Sequence, residues 1–437
     1  VLIKSLKAGM RLLMLRAKPG SRRDRKKKVL YLSYNGLLEP ILPSQGIPYM
    51  KQMHERGGYD FVLLTWEKAI DVKNRGKAGI KALKEDLRIC GIEWHCLRYH
   101  KRPRHFATLY DLIAGFFKCL YLIPLKGVGI VHTRGITPGV IPLFLSKLFR
   151  IKILYDMRGL LAEEYVGGGM WSEGGLPFRL VKFAEARMLR SADAVTVLTN
   201  KHYMLNKGLS TLKSADVPME VIPCCVDTGS FGYGVNSEDQ RAGGIKEKLG
   251  LNGRFVLLYP GKIGSFYYMD EMLDFFKCSL DEVPNATFLI LTRDSTSGLI
   301  KAIEKKGISA SSVKVMSSTY DEMPALMRIA DAGIFFINPY KKIGSSPIKM
   351  GEFLASGVPV IINPGVGDTE GLVRENKVGV VVEEFKPDDY REALRELIAI
   401  KGEGEALKRR CRQTAREHLS LNKGVEKYLD IYMRISG

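Results

Sequence analysis

At 437 residues the chain is too long for one ordinary hydrophobic core, so we expect two domains of roughly 200 residues each. Its 46% hydrophobic and 26% charged residues are ordinary for a folded globular protein. Seven scattered cysteines include no CxxC pair, so the sequence suggests neither a disulfide framework nor a zinc site and favours a reducing cytoplasm.

Half of the net charge of +20 comes from a basic tail, residues 1–28, which carries eleven Lys or Arg and one acidic residue. Within it Ile3, Leu6, Met10 and Leu13 recur at helical spacing, with basic residues between them. This pattern is typical of an amphipathic helix on an anionic membrane surface, and a disordered basic leader is the alternative. The apolar run is too short and too interrupted by charge for a secretory signal.

No stretch reaches the roughly 18 uncharged apolar residues that a membrane-spanning helix needs. The nearest candidate, residues 106–131, is interrupted by Asp111, Lys118 and Lys126. A helix packed in the core suits this segment better than a membrane-facing amphipathic helix, which is the alternative.

Beyond the tail, short apolar runs alternate with helical segments, an order that predicts parallel sheets with helices on both faces. The first series of predicted strands is 29–33, 61–65, 92–97, 129–132, 152–155 and 194–198. After a joint near 205–225 and a short run at 220–223, the second series is 255–259, 287–291, 312–316, 333–336, 358–362 and 379–382. We therefore predict an α/β protein with two Rossmann-like doubly wound domains, residues 29–210 and 211–410, that face a cleft. The last helices, residues 411–437, are predicted to pack back towards the first domain.

Residues 345–368, SSPIKMGEFLASGVPVIINPGVGD, predict a short helix followed at once by a buried strand. Ser345 or Ser346 suits the N-cap, Pro347 suits the first helical position, and Gly357 suits the left-handed residue after the helix end. The free N–H groups and positive dipole end of such a helix start suit a phosphate group.

Lys349, in the first turn of this helix, opposes the helix dipole unless a bound anion neutralises both. Glu352 lies one turn further on, within i, i+3 reach of Lys349. The arrangement favours a diphosphate site, and an amphipathic helix with a surface ion pair is the alternative.

A second candidate anion site follows the first strand of the second series, in YPGKIGS at 259–265. Gly261 permits close approach of a phosphate to the backbone, and Lys262 adds a cation at the same strand end. Neither series begins with a GxGxxG fingerprint, and the sequence has no GxxxxGK[ST] loop, which removes the simplest dehydrogenase and ATPase interpretations.

The first domain offers a charged segment, YDMRGLLAEEY at 155–165, after a buried strand. Its charged residues are Asp156, Arg158, Glu163 and Glu164, at the strand end where a doubly wound fold has its site; a structural Asp–Arg pair is the alternative.

Two other parts of the first domain supply candidates. His132, at another strand end, is either a site residue or a structural histidine at the sheet edge. The loop at 36–49 offers Glu39, Ser44 and Gln45 to a hydroxyl-rich ligand.

In their order along the chain, these motifs resemble those of the nucleotide-sugar-dependent glycosyltransferases of family 4, which have the GT-B fold. The resemblance covers residues 29–435. Its carriers are GLLEPILPSQ (36–45), HTRG (132–135), YDMRGLLAEEY (155–165), ADAVTVLT (192–199), VIPCCVDTGSF (221–231), YPGKIG (259–264) and SSPIKMGEFLASGVPVI (345–361).

The resemblance implies roles for several of these residues. Glu352 would bind the ribose hydroxyls of the donor nucleotide, and Gly261 and Lys262 lie in the turn that faces the diphosphate. The segment 155–165 would face the donor sugar and the acceptor. Gln45 and its loop would close over the bound sugar.

Two positions depart from the pattern of that family. The first glutamate of its ExxxxxxxE motif falls at Gly344, so only the second, Glu352, is present. The second basic residue after the YPGKIG turn falls at Tyr267, and Lys349 is our candidate for the missing charge.

The resemblance implies an enzyme that transfers a sugar, with retention of configuration, from a nucleoside-diphosphate sugar of UDP or GDP type to a hydroxyl acceptor. Lys262, Lys349 and the helix start at 345–346 would stabilise the leaving diphosphate, so neither a metal ion nor a cofactor is expected. The basic tail suggests a lipid-linked or cell-surface polysaccharide acceptor at the cytoplasmic face of the cell membrane.

Two other functions are weighed against this one. A nucleotide-sugar epimerase of the same fold would need acid and base groups around the sugar, for which His132 and Glu163 or Glu164 are candidates. Nucleic-acid binding driven by charge is disfavoured, because the sequence lacks the aromatic–basic interleaving of a known binding module.

Overall fold

The computed structural model describes residues 27–207, 217–232, 236–264 and 266–436. Most of the basic tail and the middle of the predicted joint, residues 208–216, lie outside the described residues. The amphipathic helix expected in the tail therefore stays a prediction.

The first domain is built on a seven-stranded sheet in which every strand pair is parallel. Its strands are β1 (Lys27–Ser33), β2 (Tyr59–Glu67), β3 (Ile92–Arg98), β4 (Val128–Arg134), β5 (Lys152–Asp156), β6 (Ala194–Val197) and β7 (Met219–Val221). The strand order is β3-β2-β1-β4-β5-β6-β7. The chain therefore winds outwards from β1 in both directions, as in a doubly wound fold.

Helices cover both faces of this sheet. They are α1 (Ile41–Gln45), α2 (Ile47–Gly57), α3 (Ala69–Ile89), α4 (Arg104–Lys126), α5 (Ile136–Leu145), α6 (Leu161–Gly167), α7 (Leu176–Ser191) and α8 (Asn200–Lys207). Alternate residues of β1 serve the two faces: Val29 and Tyr31 join the core under α2, whereas Leu30 and Leu32 join the core under α4.

The second domain repeats the plan with six parallel strands. They are β8 (Phe255–Pro260), β9 (Ala286–Leu291), β10 (Val313–Met316), β11 (Ala332–Phe335), β12 (Val360–Ile362) and β13 (Gly379–Val381), in the order β10-β9-β8-β11-β12-β13. The helices are α9 (Thr228–Phe231), α10 (Asn236–Lys248), α11 (Met269–Glu282), α12 (Ser297–Lys305), α13 (Met323–Arg328), α14 (Ile348–Ala355), α15 (Thr369–Asn376), α16 (Pro387–Lys401), α17 (Glu405–His418) and α18 (Leu421–Ser436).

The predicted fold of two parallel-sheet domains is confirmed, and each of the twelve predicted strands ends within two residues of an observed one. The short run at 220–223 differs from the prediction, because the predicted boundary at 210/211 places it in the second domain. Met219 pairs with Val195, so this run is the edge strand β7 of the first sheet. The boundary at 210/211 is therefore too early, since pairing across the sheet is a long-range contact that a local pattern does not reveal.

The two C-terminal helices belong to different domains. Cys411 and Ala415 of α17 are buried in the core of the second domain. Tyr428, Ile431 and Tyr432 of α18 are buried in the core of the first domain, beneath β1 and α2. The last 17 residues or so thus pack on the first domain. Just before them, the Leu419 carbonyl accepts a main-chain hydrogen bond from the Val226 N–H.

Helix α4 is only partly buried, whereas the sequence favours a helix packed in the core. By length and composition alone, Phe106–Lys126 is apolar enough to cross a membrane, with a mean hydropathy of 1.5, and 33% of that stretch is buried. One side packs on the sheet, where Gly115 lies so close to Trp66 that a Cβ at this position would come within 2.4 Å of the indole. The opposite side of α4 is exposed.

Candidate active site

A cavity of about 450 Å³ lies between the two domains, at the carboxyl ends of β8 and β9. Among the predicted site residues, it brings together Glu39 of the first domain and Gly261, Lys262 and Glu352 of the second. Its walls also include Ile41, Ser44, Lys68, Arg293, Thr319, Tyr320 and Ile348. Ligands of doubly wound sheets bind at this edge, so the location is that of a substrate site.

Helix α14 carries Glu352 to the cavity. The helix begins at Ile348 with Pro347 as its N-cap residue, and Gly357, just past the end, has φ +76°. Glu352 is 6% exposed. Burial raises the pKa of Glu352 to about 7, against the opposing charge of Lys349. The carboxylate is therefore a strong acceptor that has given up most of its water.

Lys349 lies behind the cavity wall. Its Nζ atom is 4.0 Å from the ring centroid of Tyr267 and 4.6 Å from that of Tyr259, and it has no hydrogen-bond partner among the described residues. Burial lowers the pKa of Lys349 to about 7, although Glu352 favours the charged form. A cation held only by aromatic faces is positioned to gain from an anion nearby.

Gly261 separates this ammonium group from the cavity. A Cβ atom at position 261 would come 2.8 Å from Lys349 Nζ and 2.8 Å from the Tyr259 hydroxyl. The neighbouring Lys262 is exposed at the cavity, and its carbonyl accepts a hydrogen bond of 2.5 Å from Tyr259. Tyr259 thus braces the turn that carries both predicted diphosphate residues.

The predicted N-cap role of Ser345 and Ser346 is wrong. Pro347 takes the N-cap position, with no side-chain hydrogen bond there. Ser345 and Ser346 line a separate cavity of about 220 Å³, and the Ser346 hydroxyl accepts a hydrogen bond of 3.1 Å from the Cys224 N–H. These serines therefore belong to the junction between the domains, a contact that the local sequence pattern does not contain.

Gly344, the position of the missing carboxylate, lies in the same junction. A Cβ at Gly344 would come 2.9 Å from Nδ1 of His202 and 3.5 Å from the Cα of Gly159. The first domain therefore occupies the space next to Gly344, and in this arrangement a side chain there would press against His202.

Asp156 and Arg158 form a buried pair at the end of β5. Asp156 Oδ1 lies 3.6 Å from Arg158 Nη1 and accepts a hydrogen bond of 2.9 Å from Thr196. Burial alone would raise the pKa of Asp156, but the positive charge of Arg158, together with the neighbouring His132 ring, holds it well below its usual range. Arg158 also donates to Gln45 Oε1, at 3.3 Å.

His132 is buried in the interior of the first domain. It is 1% exposed and lies on the central strand β4, so the predicted edge position is wrong. Its Nδ1 is hydrogen-bonded to the Tyr432 hydroxyl at 2.7 Å, and its ring lies 4.4 Å from that of Tyr31. Burial lowers the pKa of His132 despite the nearby Asp156. The histidine joins α18 to the sheet and lines none of the three cavities of about 450, 220 and 210 Å³.

Gln45 lies in a helix rather than in a loop, and it contacts the segment that connects the two domains. The predicted loop at 36–49 contains α1 and the start of α2, and Gln45, at the end of α1, is 5% exposed. Its Nε2 donates to the Cys225 carbonyl at 3.0 Å. With both ends of its amide engaged, Gln45 holds Arg158 and the interdomain segment together.

A further cavity of about 210 Å³, called the second cavity below, adjoins Arg158 on the first domain. Arg134, Arg158 and Glu164 supply its charge, and Tyr34 and Tyr165 supply aromatic walls. Glu164 pairs across the domain junction with Lys342 at 3.2 Å. Glu163 points elsewhere and pairs with Lys182 of α7 at 2.8 Å.

Four of the cavity residues that the sequence analysis did not predict share one kind of position. Each comes within two residues of the end of a strand: Tyr34 after β1, Lys68 after β2, Arg134 at the end of β4, and Arg293 after β9. Lys68 pairs with Glu39 at 2.6 Å. The rule that parallel strands bring their carboxyl ends to one edge could have found all four.

Asp368 was also missed, because its role is in the junction. Its carboxylate accepts hydrogen bonds from the main-chain N–H groups of Asn200 (2.5 Å) and Lys201 (3.2 Å). A carboxylate of the second domain thus caps α8 of the first. Among the described residues, no group of three or more His, Cys, Asp or Glu could hold a metal ion.

The second half of the chain matches a known family. Residues 244–418 match the family model described as Glycosyl transferases group 1. This segment is therefore similar to the group 1 glycosyltransferases. It contains Gly261, Lys262, Lys349 and Glu352, which are all the predicted donor-side residues that lie at or behind the interdomain cavity. A comparison with curated proteins finds no match to the chain.

Solved glycosyltransferase structures share the fold of the whole chain. A glycosyltransferase from Rickettsia africae has a TM-score of 0.70 at 17% identity, over 94% of this chain and 99% of that one. HepE from Anabaena, solved with UDP-glucose, has a TM-score of 0.66 at 14% identity, over 94% and 99%. WaaG, a glycosyltransferase involved in lipopolysaccharide biosynthesis, has a TM-score of 0.64 at 17% identity, over 92% and 99%. The chain therefore has the GT-B fold.

Proposed function

We propose that this protein transfers a sugar from a nucleoside-diphosphate sugar to a hydroxyl acceptor with retention of configuration, as in glycosyltransferase family 4. The observation that carries the proposal is the interdomain cavity, in which Gly261, Lys262 and Glu352 of the second domain face Glu39 and Lys68 of the first domain. One wall carries groups suited to a nucleotide, and the other carries groups suited to hydroxyls.

The donor would lie along the second-domain wall. Glu352 would accept hydrogen bonds from the ribose hydroxyls, for which a buried carboxylate is well suited. The diphosphate would lie over Gly261, between Lys262 and the start of α14 at Ile348, where helix N–H groups point outwards. We propose a uridine base, on the ground that the neighbour HepE was solved with UDP-glucose.

Catalysis would be mainly electrostatic. Negative charge grows on the diphosphate as the bond to the sugar breaks, and a preorganised positive environment lowers the energy of that state. Lys262 supplies an exposed cation, and Lys349 supplies a second one behind Gly261. Closure of the domains over the cavity would exclude water and so limit hydrolysis of the donor.

The acceptor would approach from the second cavity, beside Arg134, Arg158 and Tyr34. We propose a lipid-linked or polysaccharide acceptor at the cytoplasmic face of the membrane, with the protein bound there peripherally. Supporting this are the basic tail and the neighbour WaaG, which is involved in lipopolysaccharide biosynthesis. Paired arginines suit an anionic acceptor group, such as a phosphate.

The epimerase alternative gains no support from the geometry. Its acid–base candidate His132 is buried against Tyr432, and Glu163 is paired with Lys182. Glu164 does reach the second cavity, but it is paired with Lys342.

Thermal shift with UDP, GDP and their sugars tests the donor site, because a ligand that binds only the folded state raises Tm. We expect a shift with UDP and UDP-sugars that Glu352→Ala abolishes and that Glu375→Ala, on the exposed face of α15, leaves intact. A shift that survives Glu352→Ala would contradict the assignment. Transfer with retention is then tested by NMR of the anomeric proton of the product.

A further inference from the structure

Three neighbouring helices of the first domain carry an unusual concentration of exposed apolar side chains. Of the 22 exposed large apolar residues that the structure describes, eleven lie on α4, α5 and α7. Helix α4 contacts α5, and α5 contacts α7, so the three helices form one side of the domain. We call the exposed side chains of these helices the apolar face.

On α4 the exposed residues follow helical spacing. Phe106, Tyr110, Ile113, Phe117 and Tyr121 are separated by four, three, four and four residues, so they lie on one side of the helix. Phe106 is 74% exposed and Phe117 is 62% exposed. A soluble domain rarely leaves such a large continuous apolar area in water unless something covers it.

The exposed charges that the structure describes on the three helices are basic, and the connection before α7 carries one exposed acidic residue, Glu173, which pairs with Lys341. The acidic residues in the sequence of the three helices are Asp111 and Glu185, and both are buried, at 1% and 4% exposure. Exposed basic residues surround the aromatic ones on the same helices and on the connections next to them. They are Lys101, Arg102, Lys147, Arg150, Arg179, Arg187 and Arg190.

The combination of exposed apolar side chains with surrounding basic residues indicates which kind of partner binds this face. Aromatic and aliphatic side chains ringed by Lys and Arg match the interface of a bilayer with anionic lipids, where apolar groups enter the headgroup region and cations meet lipid phosphates. Lys118 and Arg187 already lie over the rings of Tyr121 and Phe183, at 5.7 and 5.4 Å, which keeps charge and apolar surface together.

Two of the helices that carry the apolar face also reach the second cavity, through buried residues. Asp111 of α4 accepts a hydrogen bond of 3.0 Å from Tyr34, and Tyr34 lines that cavity with Arg134 and Arg158. Ile136 and Pro138, at the start of α5, line the same cavity. Helices α4 and α5 therefore carry the apolar face on one side and reach the second cavity on the other.

We propose that the apolar face docks the protein on an anionic bilayer surface and so presents the head group of a lipid acceptor to the cavity at Tyr34 and Arg158. The acceptor part of this statement rests on the proposed function. Docking through the face does not depend on it, and the tail at residues 1–28 acts in addition.

Sedimentation of the full chain with vesicles tests the docking. With phosphatidylcholine vesicles that contain about 30 mol% phosphatidylglycerol, we expect binding that weakens when the anionic lipid is omitted. The variant Phe117→Glu/Tyr121→Glu should lower the partition constant at least roughly tenfold, since two apolar contacts are replaced by repelling charges. The matched control is Ile300→Glu/Ile398→Glu, which alters two exposed apolar residues of the second domain and should bind like the unaltered chain.

A milder variant reports the docking even if the double glutamate variant folds poorly. In Tyr121→Trp, the new indole should be quenched by vesicles of brominated lipid, whereas in Ile398→Trp it should not. Equal quenching in the two variants, or unchanged binding of folded Phe117→Glu/Tyr121→Glu, overturns the proposal. A shift from dimer to monomer in that variant, with vesicle binding intact, would assign the face to a second copy of the chain and overturn it too.

These results separate the two proposals. Loss of vesicle binding in the face variant, with a UDP thermal shift that is intact, supports docking and leaves the donor site standing. Vesicle binding through the face in a protein that no nucleotide stabilises would support docking while refuting the proposed function.

Discussion

The ammonium group of Lys349 lies 4.0 Å from the ring centroid of Tyr267. Tyr267 stands where the resemblance to family 4 expects a basic residue, and Lys349 reaches the same place from α14. The positive charge next to the turn at Gly261 is thus supplied from another part of the chain. Burial makes that charge costly, because an ammonium group without water or a counter-ion favours its neutral form.

Replacing Lys349 with methionine is expected to stabilise the ligand-free protein near pH 7. Burial lowers the pKa of Lys349 from 10.5 to about 7. The cost of the buried charge is therefore full below pH 7 and disappears as the pH rises towards 10.5. We expect Lys349→Met to raise the free energy of unfolding by about 1–3 kcal/mol at pH 7, and by less at pH 9, in urea denaturation.

The control for this prediction is Lys301→Met, on the exposed face of α12, which should change stability by less than about 0.5 kcal/mol at either pH. A methionine variant that is less stable than the unaltered protein at pH 7 would show that the cation is well solvated or paired.

Binding of a nucleoside diphosphate is expected to take up protons at pH 8. Lys349 is mostly neutral there in the empty site, because burial holds its pKa at about 7. A bound diphosphate favours the ammonium form and returns the pKa towards its ordinary value. Titration calorimetry of UDP in buffers with different ionisation enthalpies should give an uptake of up to about one proton. Lys349→Met should bind UDP more weakly and without proton uptake; unchanged uptake in that variant would assign the proton to another group.

Gly261→Ala is expected to damage the donor site. The added Cβ would come 2.8 Å from both Lys349 Nζ and the Tyr259 hydroxyl, and Tyr259 is buried in the core. We expect a loss of about 1–3 kcal/mol in stability and at least a tenfold loss in UDP affinity. Gly298→Ala, at an open position in α12, is the control and should be neutral or slightly stabilising. Normal UDP affinity in a folded Gly261→Ala protein would place the diphosphate elsewhere.

The contact between Gly344 and His202 is testable by a double-mutant cycle. A Cβ at Gly344 would come 2.9 Å from His202 Nδ1. Gly344→Ala alone should therefore cost about 1–3 kcal/mol, and much less when His202→Ala has made room. Additive effects on the free energy of unfolding would show that the domains move apart to admit the side chain.

Charge at strand ends was the most reliable sequence signal for the site. Gly261 and Lys262 were predicted from their position after a buried strand, and Glu352 from its position one turn beyond a helix start; all three line the interdomain cavity. Ser346 and Gln45 were selected on similar local grounds. Their polar atoms bond instead to Cys224 and Cys225, far away in the sequence. Local patterns predict where polar groups occur, but they do not predict which distant partner satisfies them.

The sequence by itself determined the two parallel sheets, because the apolar runs that form buried strands are local and repeat twice. It also determined the chemistry of the second-domain wall, since Gly261, Lys262 and Glu352 lie in short motifs. Only the tertiary structure decided that His132 is buried under Tyr432 and that the first domain occupies the space beside Gly344. It likewise decided which side of α4 faces water. The apolar composition of α4 is visible in the sequence, but its exposure depends on Gly115 packing against Trp66, and such contacts are made only when distant segments fold together.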